Sequence, residues 1–292
     1  MSNEPLINSR IGGENQLVFL NRTKLDGIQS LSIQQNPGLN PLTYAGIGNK
    51  TLNYIPITEQ SSTVSINRTL IDNEPFLQFV TGNTLANLYI LREQSDLINN
   101  YILTSGYFNS FNCSYSIGNT ANCSVNFISL GNAGKINTGN LNLDNAQDLN
   151  FISTGNFVKT GSYLIPSIGT ISLNIDTFNQ NRLQSFNISI ESNKIPVYCC
   201  GSKLPKRIDN FSSNIDVGFS FALGTHEIPS LRNFPQSGIV KNLSITINDY
   251  STNANICQFN FNNLNLISEN YSIEQNDTVL IEQVYQTKIF HN

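Results

Sequence analysis

The chain contains no tryptophan and only two histidines among 292 residues. The absence of tryptophan, and of any visible cluster of other aromatics, counts against the exposed ring platforms that glycan recognition needs. His291 is the penultimate residue, where disorder is the default, which leaves His226 in Gly224-Thr225-His226-Glu227. One loop histidine is too little for a histidine metal site or a Ser-His-Asp set. Charge is equally thin. Only 12% of residues are charged, against about 25% in an average globular protein. Twenty acids against 16 bases leave a net charge of −4, which gives no basic footprint for gripping nucleic-acid phosphates. The one basic concentration, Lys203-Leu204-Pro205-Lys206-Arg207, is short and lacks interleaved aromatics. It reads as a surface loop, with an intersubunit ion pair as its other use.

Catalytic signatures are missing as well: no G-x-x-x-x-G-K-[ST], G-x-S-x-G, H-E-x-x-H or EF-hand pattern occurs. Asp72 and Glu74 lie close together after one apolar run, and Asp209 and Asp216 flank the corresponding region further on. A sugar-cleaving enzyme sets two acids across a cleft; the sequence shows no such pair, and these read as solvated surface acids. No catalytic, cofactor-binding or metal residue is assigned, and an enzyme is not expected. The five cysteines, Cys113, Cys123, Cys199, Cys200 and Cys257, are odd in number and contain no C-x-x-C spacing. They read as free, mostly buried thiols. Cys113 and Cys123 can also face each other across a hairpin around Gly118-Asn119, where a cytoplasm would keep them reduced. The start of the chain has no basic and apolar leader, and no segment approaches 18 uninterrupted apolar residues. The expectation is a soluble chain, made in a cytoplasm, with no membrane span. The N-x-S/T triplets at Asn21, Asn67, Asn112, Asn187 and Asn242 are then by-products of an Asn-rich composition.

Uncharged polar residues fill the space that charge leaves. Asn, Ser and Thr hydrogen-bond to nearby backbone in turns and caps, and serve poorly inside helices. Apolar and polar residues alternate in Ser62 to Asn67, Leu141 to Leu143, Phe186 to Ile190, Asn242 to Asn248, Phe259 to Phe261 and Leu264 to Leu266. Period two puts one set on each face of a half-buried antiparallel strand. Turn chemistry separates the runs at Asn36-Pro37-Gly38, Thr81-Gly82-Asn83, Gly131 to Gly134 and Thr160-Gly161-Ser162. Thr84 to Asn100 admits two readings: a short helix capped by Thr84 with Leu85, Leu88 and Leu91 on one face, or a strand at Leu88 to Leu91 with another near Tyr101.

Parts of the sequence recur in order. Ile28 to Ile33 returns as Leu183 to Ile188, Ser61 to Ile66 as Asn214 to Phe219, and Tyr115-Ser116-Ile117 as Tyr271-Ser272-Ile273, at spacings of 155, 153 and 156 residues. Collinear matches at nearly one spacing point to a duplicated domain. The fold class expected is all-β and mainly antiparallel: two tandem β-sandwich or tube-type modules with at most a short helix in each. The expected divisions are an N-terminal arm (1–20), a first module (21–145), a linker or connecting strands (146–175) and a second, diverged module (176–292).

Four segments carry a more specific likeness: Leu25-Asp26-Gly27-Ile28-Gln29-Ser30, Asn67-Arg68-Thr69-Leu70-Ile71, Glu74-Pro75-Phe76-Leu77-Gln78-Phe79-Val80-Thr81-Gly82 and Ser105-Gly106-Tyr107-Phe108-Asn109-Ser110-Phe111. In this order they resemble virion structural proteins of tailed bacteriophages, particularly duplicated tail-tube-type proteins. There the patterns run DGVQS, I-x-R-x-L-I, D-P-x-L-x-Y-T-G and SGYL-x-S-Y. The likeness covers roughly residues 24 to 135. In the second half, Phe178 to Ser185 keeps only the end of the first pattern, and Glu74 stands where the pattern has Asp. The motifs are structural, and no active residue carries over.

The resemblance implies β-sandwich modules whose sheets join into rings that stack as a tail tube. Duplication then implies three chains per pseudo-sixfold ring. The partners implied are other copies of the chain and other tail proteins, with phage DNA passing through the lumen without specific binding. The location implied is the virion, after assembly in the host cytoplasm. The alternatives are another virion component, such as a tail-completion, baseplate or capsid-decorating protein, and a receptor- or glycan-binding β protein. The arm is expected to be ordered only on assembly.

Overall fold

The computed structural model describes residues 16–21, 23–36, 39–45, 50–56, 61–71, 74–92, 101–130, 133–135, 171–176, 178–180, 183–200, 205–224, 239–273 and 278–291. The described residues form an all-β, antiparallel fold with one short helix. The strands are β1 (Gln16–Leu20), β2 (Thr23–Leu25), β3 (Ile28–Asn36), β4 (Leu39–Ala45), β5 (Lys50–Pro56) and β6 (Ser61–Thr69). After helix α1 (Leu77–Thr81) come β7 (Ala86–Arg92), β8 (Tyr101–Ser116), β9 (Asn122–Ser129) and β10 (Ala133–Lys135). The later part contributes β11 (Ile171–Ile175), β12 (Phe178–Gln180), β13 (Leu183–Val197), β14 (Arg207–Gly224), β15 (Ile239–Asn248), β16 (Asn255–Ile273) and β17 (Thr278–Phe290).

Among the described residues all strands but β4 and β5 belong to one hydrogen-bonded network, and those two pair with each other. Within the network the strands run β2-β1-β7-β8-β9-β6-β3 in the first half and β12-β11-β15-β16-β17-β14-β13 in the second. These are the same order. Local irregularities recur with it. Gln29 and Gln184 are each the extra residue of a bulge, in β3 against β6 and in β13 against β14. Asn109 and Ile267 are the extra residues where β8 meets β9 and β16 meets β17. The β1–β2 and β11–β12 turns hold Asn21 and Asp176 at φ 54° and 49°, a region that Asn and Asp tolerate best among residues other than glycine. Each side chain accepts a 2.9 Å bond, Asn21 from the Asn87 N–H and Asp176 from the Asn242 N–H.

The long strands β8 and β16 each serve two layers. Their N-terminal parts pair with β7 and β15, and their C-terminal parts with β9 and β17. Left-handed Ser105 (φ 53°) and Asn263 (φ 55°) mark the crossings. Side chains from both layers meet in a continuous core. It includes Val18, Leu88, Val64 and Phe127 from the first half and Leu173, Ile245, Val217 and Tyr285 from the second. Phe111 and Phe259 meet across the halves at 6.1 Å. Among the described residues no helix is long and apolar enough to cross a membrane.

Several expectations change. Gln16–Leu20, assigned to an arm, is a strand seated between β2 and β7, because Val18, Phe19 and Leu20 are apolar enough to bury; residues 1–15 lie outside the described part. Ile171–Ile175, in the stretch read as a linker or connecting strands, is β11, which belongs to the second half: it pairs with β15 and is buried at alternate residues. Of the two readings of Thr84 to Asn100 the strand holds: β7 covers Leu88 to Leu91, and β8 begins at Tyr101. The helix lies earlier, at Leu77–Thr81, too short for its periodicity to stand out. Phe259 to Phe261 and Leu264 to Leu266 are one strand, β16. Leu141 to Leu143, Thr160-Gly161-Ser162 and most of the linker fall outside the described residues. Ladder partners pair Ile33 with Val64 and Ile188 with Val217, as the sequence matches align them. They place Cys113, not Tyr115, in the position of Tyr271. A two-residue slide keeps every side chain on its face, so alternation alone does not detect it.

Candidate functional site

The side chains considered for chemistry are dispersed. His226, Asp72, Lys203 and Leu204 lie outside the described residues. His291 is anchored, its ring Nε2 2.9 Å from Ser213 Oγ and its N–H donating to the Phe211 carbonyl. Because β17 pairs with β14 as far as Phe290, the position is held rather than frayed. Arg207 pairs locally with Asp209 at 3.0 Å, and Asp216 accepts a 2.7 Å bond from Gln286. Cys113, Cys123 and Cys257 are buried and Cys199 and Cys200 are exposed. Cys113 and Cys123 stand directly opposite one another in the β8·β9 ladder with sulfurs 2.9 Å apart. Burial pushes the Cys123 thiol well up and Cys257 to about 12, which keeps both protonated and unreactive. No group of three His, Cys, Asp or Glu residues suited to a metal occurs among the described residues.

Glu74 departs from the surface-acid expectation. Its side chain and that of Arg68 are each 1% exposed, and they form an ion pair at 3.0 Å. Arg68 Nε also donates to the Asp26 carbonyl at 2.7 Å, and Glu74 Oε1 accepts from the Phe76 N–H at 2.9 Å. Three of the four motif segments therefore converge on one guanidinium.

The organised surface is a sheet, not a pocket. β8 pairs with β13 from Ser110↔Glu191 to Ser116↔Ser185. This seam fuses the first-half ladder β3-β6-β9-β8 to the second-half ladder β13-β14-β17-β16. On the core side, Tyr115 stacks on Phe186 with ring centroids 5.8 Å apart. The helix reinforces the seam. Its C-terminal carbonyls lack intrahelical donors, and second-half side chains supply them. Ser192 Oγ donates to Val80 at 2.6 Å, Lys194 Nζ to Phe79 at 2.6 Å and Asn210 Nδ2 to Thr81 at 3.3 Å.

Burial holds the Lys194 pKa down at about 8. A depressed lysine pKa means that the fold favours the neutral amine. Its contribution to stability is full above the ordinary lysine range, near 10.4, and declines as pH falls through about 8. Lys194→Met is expected to lose about 1 kcal/mol through the missing cap. Its deficit against wild type should shrink as pH falls from about 10 to about 8. Paired urea titrations across that interval measure both effects.

The outer face of the fused sheet is a carpet of short polar side chains that bond to one another across strands. Asn67 donates to Ser30 and Ser65 to Asn126, both at 2.8 Å, and Thr69 donates to Asn122 at 3.0 Å. Ser185 and Ser220 share a 2.7 Å bond. The first-half part is concave around a hollow of about 760 Å³, lined among others by Ser30, Asn67, Asn112, Ser114, Asn122 and Ser124. Beyond the seam, the strand positions of this face hold the acids Glu191, Asp216 and Glu282 and the base Lys288, and further along the same ladder Asp209 paired with Arg207. Arg68 also borders the hollow, but its side chain is only 1% exposed and its guanidinium is paired with Glu74 on the core side. Such a surface offers phosphate little to grip.

Compared with known proteins, the chain matches no family model and no curated sequence.

Proposed function

We propose that this chain is a structural virion protein that assembles with copies of itself, through sheet edges, into stacked rings forming the tail tube of a tailed bacteriophage. The observation that carries the reading is the β8·β13 seam. One chain already joins two four-stranded ladders edge to edge, and both ends of the resulting sheet remain uncovered among the described residues. The repeated strand order supports descent of the two halves from one duplicated module. Three chains then close a pseudo-sixfold ring. The polar, sparsely charged face suits a lumen through which DNA slides, and the four resembling motifs supply the phage context. The role is architectural rather than catalytic, exercised in the virion after assembly in the host cytoplasm alongside other tail proteins.

Negative-stain electron microscopy across a concentration series, with light scattering on the same samples, tests the reading. Rings or hollow tubes with threefold or pseudo-sixfold end views are expected. A monodisperse monomer at every concentration would overturn it.

A further inference from the structure

We propose that a second copy of this chain seats the outer edge of its β3 on the C-terminal half of β16, antiparallel, with Ile33 of one copy directly opposite Tyr271 of the other. This deepens the assembly reading by naming the two edges and their register, and it holds whether or not the particle is a phage tail.

The internal seam is the template. β13 occupies in the second half the place that β3 occupies in the first, since the bulged residues Gln29 and Gln184 correspond, 155 residues apart. β16 likewise matches β8, since left-handed Ser105 and Asn263 correspond, as do bulged Asn109 and Ile267, both pairs 158 residues apart. Within the chain, β13 pairs with β8. The equivalent pairing, β3 with β16, is not made within the chain, because the two strands terminate opposite ends of the fused sheet. Only another copy can complete it. A contact between different edges of identical chains is head-to-tail, so it propagates from copy to copy and closes into a ring when the rotation per copy permits.

Carried across, Ile188↔Cys113 becomes Ile33↔Tyr271, Asn187↔Ser114 becomes Ser32↔Ser272, and Ile190↔Phe111 becomes Gln35↔Glu269. The chemistry of the open edges fits. Ile188 and Cys113 are fully buried at the internal seam, whereas Ile33 and Tyr271 are 37% and 49% exposed. Gln35 donates one amide hydrogen to Tyr101 and keeps a second for the Glu269 carboxylate, which already accepts from Tyr271 and Gln283. β3 carries no charge and no proline, the usual devices that stop an edge strand from pairing. Its edge is built to be covered.

The test uses Cys199→Ser with Cys200→Ser as background and adds Ser32→Cys with Ser272→Cys. Mild oxidation should link copies into dimers and higher multimers on non-reducing gels. Ser32→Cys with Asn270→Cys is the comparison, in the register that matching Tyr115 to Tyr271 would give. Diagonal cross-strand partners sit roughly 7–8 Å apart, beyond disulfide reach, so this pair should link at least about fivefold less. Mixing the two single variants should give dimers, and either alone should not. Rings that form without the 32–272 link overturn the seam and leave the tube reading standing. Links without closed rings support the seam and overturn the tube. A wild-type chain that stays monomeric overturns both.

Discussion

Replacing Arg68 with alanine is expected to cost about 3–5 kcal/mol, because it strands a buried carboxylate. Arg68 and Glu74 are both sealed from solvent, and the guanidinium also satisfies the Asp26 carbonyl. Removing it deprives Glu74 of its counter-charge and leaves that carbonyl without this donor. Removing both charges together is a different experiment. Arg68→Met with Glu74→Leu should cost far less than either single change, since apolar replacements of buried pairs are often neutral. The pH dependence gives an independent check. Burial raises the Glu74 pKa in the fold, while Arg68 and the Phe76 N–H pull it back down. A raised carboxylate pKa means that the group's contribution is full below the unfolded value and is lost as pH rises through the folded one. Without Arg68 the pKa rises further, so the Arg68→Ala deficit should be smaller in mild acid than at neutral pH. Urea denaturation of wild type and variants at both conditions decides this. A deficit that does not change with pH would mean that Glu74 is not the stranded group.

The strand content was legible wherever one face is buried and the other solvated. Ser62, Val64, Ile66 and Arg68 point inward from β6 and their neighbours outward, so alternation shows directly. It fails at β7, where Leu88, Tyr89 and Ile90 are all buried. That strand lies between β1 and β8, so the pattern that separates strand from helix is absent. Arg68 and Glu74 were visible as motif members, but a lone arginine in an alternating strand looks like a surface residue until its partner, six positions away, is folded back beneath it. The open edges were least legible. Nothing in Ile28 to Asn36 says that its outer side has no neighbour among the described residues; that follows only from comparing two ladders in space.

The most localised large effect is expected at Gly106, where β8 passes between layers. Its backbone is not left-handed, so conformational freedom is not the reason for glycine here. The reason is space. A Cβ on Gly106 would lie 2.0 Å from Phe127 Cζ and within 2.6 Å of both ring Cε atoms. That ring is fully buried and packs on Phe108 at 5.0 Å, which in turn packs on Phe76 at 5.1 Å. Gly106→Ala should therefore cost about 3 kcal/mol, at the upper end for overpacking. Gly118→Ala is the contrast. A Cβ there meets nothing within 4 Å, but φ is +84°, so only left-handed strain applies, about 1–2 kcal/mol. Phe127→Leu shortens the obstructing ring, and combining it with Gly106→Ala should cost less than the two changes summed, by about 1 kcal/mol or more. Additive costs in thermal or urea unfolding would show that the ring is not the obstacle. Gly106 also pairs with Ser129 in β9 just ahead of the segment that carries the β13 seam. Gly106→Ala should therefore loosen the junction of the two halves and weaken assembly beyond what lost stability alone predicts, whereas Gly118→Ala should not.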